Sequence, residues 1–123
     1  MFKLVRIQNA QMNVPEPEYV ASSAITIAEG EALALTGGKL AKATATVLPT
    51  FIAAKSVTAK AGEIVPVFRV EPQQVWETTA NGAVTVGAKY TLGDDGASIT
   101  TTTTSGVATV TDVYADVVHV MFR

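Results

Sequence analysis

Residues Glu29 to Lys42 read Glu-Gly-Glu-Ala-Leu-Ala-Leu-Thr-Gly-Gly-Lys-Leu-Ala-Lys. Leu33 and Leu35 fall on one face of an extended segment, Gly37-Gly38 can take the two positive φ angles of a primed turn, and Leu40 resumes the apolar face. The stretch predicts a β-hairpin, with strands over Ala32 to Thr36 and Lys39 to Val47. Its period of two, and its glycine-centred turn, recur through most of the chain.

Downstream, Phe51 to Val57 reads as a strand and Ala59-Lys60-Ala61-Gly62 as a turn. Ile64 to Val70 is apolar on both faces, which predicts burial on both sides, while Pro66 argues for an edge or a bulge. Val75 to Thr78 is extended, and Asn81-Gly82 is a hairpin signal leading into Val84 and Val86. Lys89 to Leu92, the turn Gly93-Asp94-Asp95-Gly96, and the β-branched run Ile99 to Thr104 follow. Val107 to Thr111 and Val117 to Phe122 complete the series. No segment has convincing helical periodicity; a short helix fits only around Tyr19 to Ser23 or near Gln73. Turn signals at roughly 8–12-residue spacing indicate a mainly β chain, a small barrel or sandwich.

Residues 1–24 differ from the rest. Phe2, Leu4, Val5 and Ile7 form a short strand-like segment, and the stretch after it, with Met12, Val14, Pro15 and Pro17, denies that segment a nearby hairpin partner. The prolines stiffen the chain and remove backbone donors. The expected division is an extended N-terminal arm over 1–24 and a single β domain over 25–123.

Composition narrows the functional classes. Nine Lys and Arg against eleven Asp and Glu give a net charge of −2, and a nucleic-acid binder needs clustered cations to displace counterions from phosphates. The chain has no cysteine, so disulfides and thiolate metal sites are excluded. No window approaches the roughly 20 apolar residues that span a bilayer as a helix. Met1 to Arg6 lacks the apolar run of a secretory signal, so a soluble protein used without such export is expected.

Few residues suggest chemistry. Gly38-Lys39 matches the end of a phosphate loop, but Leu33 stands where its first glycine is required and Leu40 where its magnesium-binding hydroxyl is required. No nucleophile elbow is present. His119 is the only histidine and is expected to cover a sheet or meet a neighbouring subunit. Asp94-Asp95 between glycines reads as a tight turn in preference to a calcium site. Glu16 and Glu18 are expected to face water or a basic partner surface. Trp76 is a core or interface anchor, with a sugar-stacking platform as the alternative. Neither an enzyme nor a cofactor is expected.

The opening Phe-Lys-Leu-Val-Arg-Ile, the Glu29 to Lys42 hairpin followed by Ala45-Thr46-Val47-Leu48-Pro49-Thr50, and Gly87-Ala88-Lys89-Tyr90-Thr91-Leu92 together resemble the head decoration, or capsid cement, proteins of tailed bacteriophages. The resemblance implies a β-barrel or β-tulip domain that is made in the bacterial host cytoplasm and sits as a homotrimer on the outer capsid surface of the virion. It implies the major capsid protein as partner, contacted by Phe2, Leu4, Val5, Arg6, Ile7, Met12 and Val14 of the arm. Trp76, Tyr90 and His119 are the candidates for a subunit or capsid interface. A tail or fibre subunit and a carbohydrate-binding β module are the alternatives.

Overall fold

The computed structural model describes residues 1–8 and 15–123. Its strands are β1 (Lys3–Ile7), β2 (Glu18–Ala21), β3 (Thr26–Ile27), β4 (Ala32–Thr36), β5 (Lys39–Lys42), β6 (Phe51–Ala53), β7 (Val57–Thr58), β8 (Ile64–Arg69), β9 (Gln74–Ala80), β10 (Lys89–Tyr90), β11 (Ser98–Ile99), β12 (Ala108–Val113) and β13 (Val118–Phe122). No helix occurs among the described residues. One sheet runs β1-β9-β13-β12-β10, with β11 parallel to the end of β9; a second runs β2-β8-β6-β4-β5; β3 and β7 form a small ribbon. The expected mainly β domain is therefore present, with its pairing distributed over open sheets.

The β4–β5 hairpin forms in the register read from sequence. Thr36 faces Lys39 across the turn, and Gly37 and Gly38 take φ values of 58° and 78°, where a side chain would meet the left-handed penalty. Leu33 and Leu40 are buried, whereas Leu35, near the tip, is 47% exposed.

Alternation along the second sheet sends side chains to two cores, and both faces are buried at β6 and the start of β4. Leu33, Phe51, Ala53, Val65 and Val67 join Ile27, Leu40 and Ala59 in an inner core. Ala32, Ala34 and Ile52, with Phe68 and Val70 packed alongside, face a larger core that holds Phe2, Trp76, Tyr90 and Phe122 of the first sheet or its flanks. The edges of the second sheet roll toward each other: Ser22 bridges Leu40, and the Ser23 amide and hydroxyl both donate to the Leu40 carbonyl, at 3.2 and 2.7 Å. The contact is a single bridge, so the sheet is rolled and the barrel stays unclosed.

The expected burial of β8 on both sides holds for one face only: Val65 and Val67 are buried, whereas Ile64 is 56% exposed and Pro66 and Phe68 are half-buried. The strand is neither an edge nor bulged at Pro66. It lies between β2 and β6, with Pro66 opposite Tyr19. The Pro66 carbonyl accepts from the Ala54 amide at 3.1 Å. A strand residue's amide and carbonyl face the same neighbour, so the missing donor falls where β6 has just ended.

Three further local expectations are overturned. Asn81-Gly82 makes no hairpin: β9 already has β1 and β13 on its two sides, and the Asn81 amide donates to the Ile99 carbonyl at 3.0 Å. Thr100 to Thr104 leaves the ladder after Ile99, with hydroxyls taking over part of the bonding; Thr91 Oγ1 and Thr100 Oγ1 lie 2.7 Å apart, and the Thr102 amide donates to Thr100 Oγ1 at 3.0 Å. Tyr19 to Ala21, within the suggested helix, lies in β2.

Residues 1–8 and 18–21 are also not an arm apart from the domain. β1 is antiparallel to β9, with Lys3 opposite Glu77 and Leu4 opposite Trp76, and β2 pairs with β8. The absence of a nearby hairpin partner was legible, but the distant partner was not.

Candidate functional site

β1 lies where the two sheets meet. Phe2 is 3% exposed, and its ring stands edge-on to Phe122 at 5.1 Å between centroids. The Phe2 amide donates to the Gly30 carbonyl at 2.7 Å. Gly30 has φ +88°, and a Cβ there would come within 2.9 Å of the Phe2 carbonyl oxygen and of Met1 Cβ. Glycine is thus required both for the turn and for the approach of β1.

Beside β1 opens a groove of about 510 Å³, with Met1, Leu4, Pro15, Ile52, Phe68 and Trp76 in its lining. Trp76 is 2% exposed and touches Phe122, with ring centroids 6.4 Å apart; its indole N–H has no hydrogen-bond partner among the described residues. The apolar surface continues along β8, where Ile64, Pro66 and Phe68 alternate on one side and Tyr19 lies opposite Pro66. Tyr19 and Ile64 are 70% and 56% exposed. The sequence reading missed this pair. The Tyr19–Ala21 alternation was a visible signal, but it was absorbed into the presumed arm.

At the edge of this band Glu18 accepts from Arg69 Nε and Nη2, both at 2.8 Å. The guanidinium hydrogen bonds hold the Glu18 carboxyl below its ordinary value, and the carboxylate raises that of Arg69. Glu18 therefore finds its basic partner within its own chain.

The other predicted residues separate. Val5 and Arg6 are exposed, Leu4 and Ile7 half-buried, and a register shift lies between Leu4 and Arg6. Met12 and Val14 lie outside the described residues. Trp76 and Tyr90 are buried in the core of the chain, which for Trp76 is one of the two places read from the sequence. Apolar burial outweighs exposure of these large rings, and the Tyr90 hydroxyl accepts from the Thr85 amide at 2.8 Å.

His119 sits on the outer side of the first sheet. Its Nε2 is 3.3 Å from Glu77 Oε1 and its Nδ1 3.8 Å from Asp112 Oδ2, with the Tyr114 ring 4.9 Å away. Arg6 Nη2 donates to the same Asp112 oxygen at 3.2 Å. The group ties β1, β9, β12 and β13 together across the sheet surface. Asp95 serves a turn, its Oδ1 accepting from the Ala97 amide at 2.8 Å. No group of three or more His, Cys, Asp or Glu suited to a metal occurs among the described residues.

No protein-family model matches the chain, and no curated protein sequence matches it. Among solved structures, the crystal structure of the head fiber gp8.5 N base of bacteriophage phi29 is similar, with a TM-score of 0.61 over 89% of this chain and 95% of that one. At 18% identity the likeness is one of fold, and this chain shares the fold of that base domain.

Proposed function

We propose that this chain is a structural protein of a phage head, carried on the outer capsid surface and acting without catalysis or a cofactor. The observation that carries this reading is the fold shared with the head fiber gp8.5 N base over nearly the full length of both chains. The sequence resemblance to head decoration proteins supports the same location, and the net charge of −2 suits a surface away from packaged DNA.

In the finer reading the protein is a cement. Several copies, as a homotrimer, bind the major capsid protein of the mature lattice and stabilise it by mass action, with avidity from the joined contacts. The attachment surface in this reading is the apolar band of Tyr19, Ile64 and Pro66 beside the groove, together with the exposed Val5 and Arg6. With Phe2 buried and Leu4 and Ile7 half-buried in the chain's own domain, Val5 and Arg6 are the accessible part of the described residues expected to contact the capsid.

A second reading, favoured by the head-fibre identity of the structural neighbour, is the base of a head fibre. Sedimentation with mature heads and with tails tests the shared proposal: binding to mature heads is expected, and binding to tails alone refutes it. Heating the decorated heads then separates the two readings. A cement raises the temperature at which DNA is released, whereas a fibre base binds and leaves that temperature unchanged.

A further inference from the structure

The contacts of β1 describe a plug that can leave the domain as a unit. Its strand pairing is with β9 alone, and its buried ring fills a cleft floored by Trp76, Phe122 and the Gly30 turn. The next strand, β2, belongs to the other sheet, so withdrawal of β1 leaves the β2–β8 register intact. Withdrawn, Phe2 and Leu4 would lie in water and the cleft would be open to it. Both costs vanish when the strand enters an identical cleft.

Simple edge-to-edge pairing of two copies through β1 is poorly served. The outward Phe2 amide is already bonded to Gly30, the ladder shifts register between Leu4 and Arg6, and Lys3 and Arg6 add exposed charge; bulges and charge are the usual protection of an edge. Exchange meets none of these obstacles, because it reuses the pairing and the ring contacts already formed. In the sequence ten residues, 8–17, separate β1 from β2, a length whose fully extended reach is roughly 33–36 Å.

We propose that β1 is an exchangeable strand, seated in the cleft of its own chain in the isolated protein and in the same cleft of a second copy in the oligomer. Exchange of an identical element is a low-cost route to association. High local concentration favours the intermolecular seat. The inference is independent of what the oligomer is attached to, and it is tested without heads.

Because the chain has no cysteine, engineered thiols report on the pairing cleanly. Lys3 and Glu77 are directly opposed, at a separation within the reach of a disulfide. Lys3→Cys and Glu77→Cys chains, unfolded together, refolded at high concentration and oxidised, are expected to give a covalent dimer containing one of each, several-fold more abundant than the dimers of either variant alone. The double variant is expected to pass from intermolecular to intrachain linkage on dilution. An oligomer whose double variant carries intrachain links only, or a single-chain mass at every concentration by light scattering, overturns the proposal. Should either variant misfold, the unmodified chain supplies the readout: excess peptide of residues 1–8, present during refolding, is expected to abolish the oligomer, and an oligomer indifferent to the peptide refutes exchange.

Discussion

The two cores share the strands of one sheet and differ in how they are closed. The inner core is enclosed by the rolled β2-β8-β6-β4-β5 sheet and the ribbon beside it, and it is chiefly aliphatic around Phe51. The core between the sheets takes Trp76, Tyr90, Phe122 and finally Phe2, carried in by the first strand. Because β4, β6 and β8 present alternate residues to both, neither core can be emptied without disturbing the other. One core is closed by a sheet folding onto itself, the other by a strand that must return from the far end of the sequence order.

The sharpest way to break this picture is to hollow each core separately. Phe51→Ala and Trp76→Ala should each cost about 3–5 kcal/mol, a large share of a small domain's stability. Because the strands are shared, each variant should still melt in one transition, followed by near- and far-ultraviolet circular dichroism; two separated transitions would show the cores to be independent units.

Phe2→Ala should cost less, about 2–3 kcal/mol, at or below the low end for a buried phenylalanine, because β1 can detach while the rest holds. Amide exchange is expected to quicken first at Lys3–Ile7 and not at Leu33 or Val65. Equal acceleration at all three would place β1 in the same cooperative unit as the inner core.

Gly96→Ala probes the seam. The Ala32 amide donates to the Gly96 carbonyl at 2.7 Å, and Gly96 has φ +66°, where an added Cβ would lie 3.3 and 3.4 Å from the Ala43 and Ala32 carbonyl oxygens. A loss of roughly 1–2 kcal/mol is expected from the left-handed conformation, read as a lowered urea midpoint with unchanged slope.

The smallest effect belongs to Glu18 and Arg69 on the exposed rim. The folded Glu18 carboxyl titrates below its unfolded value; its contribution is therefore present above the unfolded pKa and is lost as pH falls through the lowered folded one. Exposure screens the pair, so Glu18→Gln should leave the neutral-pH melting temperature nearly unchanged and reduce slightly the loss of stability on acidification. A large drop at neutral pH would contradict that placement.

Much of the fold was legible wherever information is local. The Gly37-Gly38 turn imposes its own geometry, and the two-sided apolar character of Ile64 to Val70 follows from period two, so the hairpin and the apolar strand could be read directly, whereas the exposure of Ile64 on one of its faces could not. Asn81-Gly82 was misleading because turn preference is a local term, and β9 spends both of its edges on β1 and β13. The threonine run was misleading for a related reason: β-branched residues favour a strand, but after Ile99 the run keeps only a short backbone exchange with Thr91, whose amide donates to the Thr102 carbonyl and whose carbonyl accepts from the Thr100 amide, and its hydroxyls supply other bonds. At the candidate surface, the apolar character of Phe2, Leu4 and Trp76 was plain, whereas which of them would stay exposed was not. Tyr19 and Ile64 were found only once β2 was seen beside β8.

By itself the sequence determined the class of structure: strands from alternation, turns from glycine chemistry, and a chain without the cysteine, nucleophile motif or cationic cluster that several functions need. The tertiary structure decided what alternation leaves open, namely which strand lies beside which. That choice put Phe2 against Phe122, returned β1 to β9 and gave Glu18 its partner in Arg69. The physical reason is that periodicity specifies the face a side chain occupies, while pairing between distant strands is settled by the burial gained only when both sheets close together.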